Sequence, residues 1–126
     1  MNYSDYNIFI IEDNRQVVKM LTLFLTEKGF KVRSALTGEE GLREIKNHRP
    51  DLVILDIGLP GIDGFEVCER IKTDVTLKDI PVVMLTGRDQ GNDFDWAMEK
   101  RADWYVVKPY EIEHLLKVFN RLLPDK

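Results

Sequence analysis

Two acidic residues, Glu12 and Asp13, follow directly on the apolar run Ile8-Phe9-Ile10-Ile11, and a third, Asp56, follows Leu52-Val53-Ile54-Leu55. Thr86 ends a further run, Pro81-Val82-Val83-Met84-Leu85, and Lys108-Pro109 ends another, Trp104-Tyr105-Val106-Val107. Carboxylates are hard oxygen ligands of the kind Mg²⁺ takes, commonly one or two of them together with waters and phosphate oxygens. Gathered without a cation, three of them repel one another and raise at least one pKa. A hydroxyl and an ammonium suit phosphoryl oxygens. An aspartate can itself be the nucleophile toward phosphorus, giving an acyl phosphate. Asp56 is the candidate for that task. It alone ends a long apolar run and enters the Gly/Pro-rich turn Ile57-Gly58-Leu59-Pro60-Gly61, which leaves its side chain exposed. Each residue taken singly has a plainer reading: a helix cap at Asp13-Asn14, a turn starter at Asp56, turn chemistry at Thr86-Gly87 and a solvated lysine at Lys108. Their occurrence at four separate run ends points to one shared site.

For these residues to meet, the runs must be parallel strands whose C-terminal ends share an edge, which is where ligands bind in open parallel sheets. Strands are expected at 8–11, 32–35, 52–55, 81–85 and 104–107. The central ones are nearly continuous Val/Ile/Leu runs, as in strands covered on both faces. Helical patterns fall between them. Asp13-Asn14-Arg15-Gln16 reads as a capping box opening a helix through Val17, Met20, Leu21 and Phe24 that stops near Gly29. Thr37-Gly38-Glu39-Glu40 reads as a second capping box, with Leu42 and Ile45 at helical spacing. Phe65, Cys68 and Ile71 mark a third helix, and Phe94, Ala97 and Met98 a fourth. Ile112, Leu115, Leu116, Phe119, Leu122 and Leu123 form an amphipathic fifth helix ended by Pro124. Five strand–helix pairs in alternation imply right-handed crossovers and a doubly wound α/β sheet.

The 126 residues have room for one domain with a single core, expected over 1–126 with its core at 8–123. Hydrophobic residues make up 44% and charged residues 32%, which argues against disorder. Eighteen basic and twenty-two acidic residues give a net charge of -4, a poor balance for binding nucleic acid or an anionic membrane surface. Cys68 is the one cysteine, so an intrachain disulfide or a cysteine metal cluster is excluded. No apolar run approaches the ~20 residues of a membrane span, and residues 1–7 lack the features of a signal peptide, so a cytoplasmic location is expected.

The chain resembles the receiver domain of two-component response regulators from Ile8 to about Leu123. The stretches that carry the resemblance are Ile10-Ile11-Glu12-Asp13, Pro50-Asp51-Leu52-Val53-Ile54-Leu55-Asp56, Leu59-Pro60-Gly61-Ile62-Asp63-Gly64-Phe65, Pro81-Val82-Val83-Met84-Leu85-Thr86-Gly87 and Ala102-Asp103-Trp104-Tyr105-Val106-Val107-Lys108-Pro109-Tyr110. The resemblance implies a flavodoxin-like (βα)5 three-layer sandwich with strand order 2-1-3-4-5. It implies that Asp56 accepts a phosphoryl group from a phosphohistidine on a histidine kinase or histidine phosphotransfer protein. It also implies that Glu12, Asp13, Asp56 and the backbone carbonyl of Gly58 hold Mg²⁺, that Thr86 and Lys108 contact the phosphoryl oxygens, and that Lys108–Pro109 is cis. In the implied switch, Thr86 moves toward the phosphoryl group and Tyr105 turns inward behind it. This remodels the face made by the fourth helix, fifth strand and fifth helix, where an output partner or a second copy binds. Such a protein is a phospho-acceptor that catalyses its own phosphotransfer and dephosphorylation, not a turnover enzyme.

Five of the twelve aromatic residues, Phe94, Trp96, Trp104, Tyr105 and Tyr110, lie within 94–110, where exposed rings favour partner contacts; Trp96 resting on loop residues is the plain alternative. The first helix is apolar on more than one side, which core packing mostly explains, although kinase docking in the family uses that helix. Three positions depart from a common receiver pattern: Glu12 stands for an aspartate, Gly58 offers no side chain to orient an attacking water, and Arg88 puts a cation two residues after Thr86. Gly58 and Arg88 are therefore expected to modulate the lifetime of the phosphorylated state. Arg101 stands where receivers usually have a helix-ending glycine. Cys68 lies on an apolar stripe and is expected to be buried, while His48 and His114 are expected on helix surfaces. Two other functions share part of this pattern. An Asp-nucleophile phosphatase of the haloacid-dehalogenase type needs a second aspartate where Gly58 stands. A pseudo-receiver that binds partners without phosphorylation usually lacks an acidic-pocket residue, and here all are present. The sequence leaves open a stand-alone regulator, a phosphorelay shuttle or a receiver from a longer protein.

Overall fold

Alternate residues of the central strands serve opposite faces, which is why their sequences read as unbroken apolar runs. Phe9, Ile11, Val53, Leu55, Val82 and Met84 pack with Ile45, Val67, Cys68 and Ile71 on one face of the sheet. Ile8, Ile10, Leu52, Ile54, Val83 and Leu85 pack with Leu21, Leu25, Leu115, Val118 and Phe119 on the other. The computed structural model describes residues 2–87 and 102–126. The predicted fourth helix, with Phe94, Trp96, Ala97 and Met98, lies outside the described residues, as do Arg88 and Arg101.

Among the described residues the elements are β1 (Asn7–Ile11), α1 (Arg15–Glu27), β2 (Lys31–Ala35), α2 (Gly38–Asn47), β3 (Leu52–Asp56), α3 (Gly64–Thr73), β4 (Val82–Thr86), β5 (Trp104–Val107) and α4 (Ile112–Leu122). The last is the helix expected fifth from the sequence. The strands form one parallel sheet in the order β2-β1-β3-β4-β5, the expected 2-1-3-4-5. Helices α2 and α3 supply one outer layer, and α1 and α4 the other. Residues of β3 and β4 are buried throughout, whereas the edge strands β2 and β5 are largely exposed or half-buried. Charged Lys31 and Arg33 on the β2 edge discourage pairing with another sheet.

The helix ends show how local chemistry frees site residues. Asn14, not the expected Asp13, is the N-cap of α1; its Oδ1 accepts from the backbone N–H groups of Gln16 at 3.0 Å and Val17 at 3.2 Å. With the cap role taken by its neighbour, the Asp13 carboxylate stays available. Thr37 caps α2 as expected, accepting from Glu40, and Asp63 caps α3 by accepting from Glu66. Helix α1 ends in a Schellman arrangement: Phe30 N–H donates to the Leu25 carbonyl and Gly29 N–H to that of Thr26, with Gly29 at φ 110°. His48 caps the end of α2 rather than lying within it; it is exposed, as is His114. Cys68 is fully buried, and burial pushes its thiol up to about 12.

Helix α1 departs from expectation. Only Leu21 and Leu25 are fully buried along it, while Met20, Leu23 and Phe24 are 44%, 60% and 38% exposed, so packing accounts for less of its apolar character than its composition suggests.

Gly64, the first residue of α3, packs directly against the end of β3. A Cβ there would lie 2.4 Å from the Asp56 carbonyl oxygen and 2.7 Å from Ile57 Cα, both backbone atoms that cannot swing aside. Gly64→Ala is expected to destabilise the fold by about 1–3 kcal/mol, the usual cost of overpacking, read as a lower urea midpoint at unchanged m-value.

Candidate phosphoryl and metal site

The expected site residues converge at the C-terminal edge of the sheet. Asp56 and Thr86 are the last residues of β3 and β4, one residue inside the strands rather than beyond them. Glu12 follows β1 directly, its backbone N–H donating to the Ala35 carbonyl at 3.1 Å. Asp56 is registered with Leu85, and Ile57 N–H continues that ladder to the Leu85 carbonyl. Thr86 is registered with Val107, and the next residue, Lys108, donates its N–H to the Thr86 carbonyl at 2.7 Å. The Lys108–Pro109 bond is cis. Successive strands thus carry the Asp56 carboxylate, the Thr86 hydroxyl and the Lys108 ammonium to one rim.

Side-chain oxygens of Glu12, Asp13 and Asp56 lie within 4.8 Å of one another. Lys108 Nζ is 3.2 Å from Asp56 Oδ1 and 3.7 Å from Glu12 Oε1. Asp56, expected to be exposed, is buried by its place as the last residue of the central strand β3, as is Glu12, whereas Asp13 is exposed, so the cluster opens to solvent on the Asp13 side. Glu12 Oε2 accepts from Asn14 N–H at 3.1 Å, but the fully buried Oε1 has no hydrogen-bond donor among the described residues. Burial is the main cause that raises the Glu12 pKa to about 7; the Asp56 charge adds to it, while the Asn14 N–H and the Lys108 ammonium oppose it. A buried carboxylate oxygen without a donor, beside two more carboxylates, fits a hard divalent cation such as Mg²⁺. Glu12, Asp13 and Asp56 are the residues that would hold it.

Gly58 is open toward the acceptor: a Cβ built there would meet nothing nearer than Asp56 Oδ2, at 3.9 Å. Thr86 is buried. Tyr105, half-buried and registered with Met84, packs against the layer of α2 and α3. Tyr110 is a neighbour of the site that residue spacing did not single out. Burial first, then the carboxylates of Glu12 and Asp56, push its phenol up to about 12. Its position two residues after Lys108 was the available clue.

The response regulator receiver domain profile matches residues 8–120. The chain belongs to this family. AfsQ1 of Streptomyces coelicolor, named as a transcriptional regulatory protein, is 44% identical over 106 residues, covering 83% of this chain and 45% of that protein. PilH of Pseudomonas aeruginosa is 34% identical over 116 residues, covering 92% of this chain and 96% of that protein. The chain spans about half the length of AfsQ1, a cyanobacterial RpaA and a mycobacterial MprA. Among solved structures, a putative response regulator from Chloroflexus aurantiacus superposes with TM-score 0.88 at 36% identity, covering 93% of this chain and 97% of that one. This receiver is thus a domain of two-component signalling, of a kind that accepts phosphate rather than turning over a substrate. No helix among the described residues is long and apolar enough to cross a membrane.

Glu12 binds its proton more tightly in the folded than in the unfolded chain. That proton stabilises the fold below about pH 4.5, and the contribution is lost as pH rises toward and through about 7. In EDTA at about pH 8, Glu12→Gln is therefore expected to be more stable than wild type by about 1–3 kcal/mol, with the difference closing as pH falls below the ordinary carboxylate range. Urea titrations across pH check this. Adding Mg²⁺ should stabilise wild type more than Glu12→Gln.

Proposed function

We propose that this receiver takes a phosphoryl group onto Asp56 from a phosphohistidine of a histidine kinase or histidine phosphotransfer protein, and that the phosphorylated state changes which partner it binds. The reading is carried by one observation: the Asp56 carboxylate at the end of β3 meets the Lys108 ammonium at 3.2 Å while lying within 4.8 Å of the oxygens of Glu12 and Asp13. An Asp56 oxygen attacks phosphorus, the P–N bond breaks, and the imidazole leaves with a proton. Glu12, Asp13, Asp56 and the Gly58 carbonyl would hold Mg²⁺, which would supply positive charge against the incoming phosphoryl group. Lys108 and Thr86 bind its oxygens, so the ammonium that now pairs with Asp56 is shared with the phosphate formed on it.

Support for partner docking comes from α1, where exposed Met20, Leu23 and Phe24 form an apolar stretch about two to three turns beyond the acidic loop. Output runs through Thr86 and Tyr105 to the face that includes β5 and α4, where Trp104 and Val107 are 39% and 43% exposed. An output partner or a second copy of the chain occupies that face. The stored phosphate is a signal whose lifetime Gly58 and Arg88 set: the open space beside Asp56 at Gly58 holds no side chain to orient a hydrolytic water.

Incubation with phosphoramidate and Mg²⁺ is expected to label wild type and to leave Asp56→Asn and EDTA-treated protein unlabelled, as read by intact-protein mass. Equal labelling of Asp56→Asn would remove Asp56 as the acceptor. Gly58→Asn, which places a polar side chain beside the acyl phosphate, is expected to shorten the phospho-state severalfold, below the roughly 10²–10⁴-fold that a true general acid–base group supplies. A time course of label loss checks it.

A further inference from the structure

Strand β5 is short and stands at the sheet edge, paired on one side only. Of its four residues only Val106 is buried; Trp104 and Val107 are exposed and Tyr105 is half-buried. The apolar burial that fixes register in β3 and β4 is therefore weaker in β5, where Val106 and the half-buried Tyr105 alone supply it. A slip of one residue would move the strand by roughly 3.3 Å and turn each side chain to the opposite face. In the observed register Lys108, immediately beyond β5, reaches Asp56 at 3.2 Å.

A polar clamp stands at the other end of the strand. The Asp103 carboxylate accepts from Val82 N–H at 2.7 Å, and Asp103 N–H donates to the Val82 carbonyl at 2.9 Å. Its Oδ2 also lies 2.6 Å from Nζ of Lys72, a lysine of α3 that is only 7% exposed. The same ammonium donates to the carbonyls of Ile80 at 2.7 Å and Lys78 at 3.2 Å, in the segment leading into β4. One buried cation thus references the starts of β4 and β5 to α3, whose first residue, Gly64, is seated on the phospho-acceptor loop and donates to the Ile57 carbonyl at 3.0 Å. Burying an ion pair adds little net stability compared with apolar packing, and specifying register is its best-attested use.

We propose that Lys72, acting through Asp103, is a positioning residue for phosphoryl transfer: it sets the register of β5 on β4 and so places Lys108 against Asp56. The proposal rests on the reading of Asp56 as phospho-acceptor. Lys72 touches neither the acceptor nor the acidic cluster, and the metal-holding residues come from the ends of β1 and β3, so its loss should spare metal binding.

The test compares wild type, Lys72→Met, Asp103→Asn, Lys108→Ala and Lys72→Met/Lys108→Ala, each well below its own unfolding midpoint. Asp103→Asn retains an acceptor for Val82 N–H, so it provides a second folded variant should Lys72→Met fail to fold. Labelling by phosphoramidate at saturating Mg²⁺ is expected to slow about tenfold in Lys72→Met and in Asp103→Asn, the scale of a small misplacement of a contacting group. Affinity for Mg²⁺ alone is expected to stay within about twofold of wild type, and Lys72→Met should add less than about twofold on the Lys108→Ala background. A folded variant that labels at the wild-type rate overturns the proposal, as do effects of Lys72 and Lys108 that simply multiply. A wild-type protein that takes no label instead overturns the Asp56 reading itself.

Discussion

The mutual repulsion of three carboxylates is the constraint on which the rest of this structure turns. Glu12, Asp13 and Asp56 place oxygens within 4.8 Å of one another, and two of the three residues are buried. Left to itself such a cluster would spread or take up protons: burial first, and then the Asp56 charge, raise the pKa of Glu12 to about 7. It persists because the backbone around it is over-determined. Each acid sits at or just beyond the end of a strand held in register by its neighbours, and the apolar layers on both faces hold those strands in place. Local destabilisation of this kind is common at functional sites, and under the proposed function it prepares a place for a cation and a phosphoryl group.

Two kinds of strand serve the site differently. The central strands β1, β3 and β4 are covered on both faces, so any slip would expose apolar side chains and place Glu12 or Asp56 wrongly. Apolar burial is the main constraint on them. Strand β5 carries Lys108 yet buries little, and its position depends instead on directional bonds at Asp103 and at the Lys108 N–H. An edge held by a few polar contacts can shift more readily than a core strand, which suits the strand that bears Tyr105 and borders the proposed output face.

Much of this was legible in the sequence because strand periodicity is strict. Continuous apolar runs announced strands covered on both sides, and each site residue was recognisable by standing where such a run ended. Other features were less legible. Asp13 and Asn14 are both good helix caps, and propensity cannot choose between neighbours; the structure assigns the cap to Asn14. Met20, Leu23 and Phe24 carry the same hydrophobicity as Leu21 and Leu25, and only the placement of α1 on the sheet separates the exposed from the buried. Lys72 looks like any solvated lysine near a helix end, because Asp103, which makes its burial tolerable, lies thirty-one residues further along the chain.

The sequence by itself determined the alternation of strands and helices, the parallel sheet and the residues that gather at its C-terminal edge, since these follow from local periodicity and chain order. Only the tertiary structure decided which carboxylate is buried without a donor, how closely Lys108 approaches Asp56, which face of α1 stays open and what pins β5. Those depend on distances between segments remote in the chain, and such distances are set by packing rather than by any local preference.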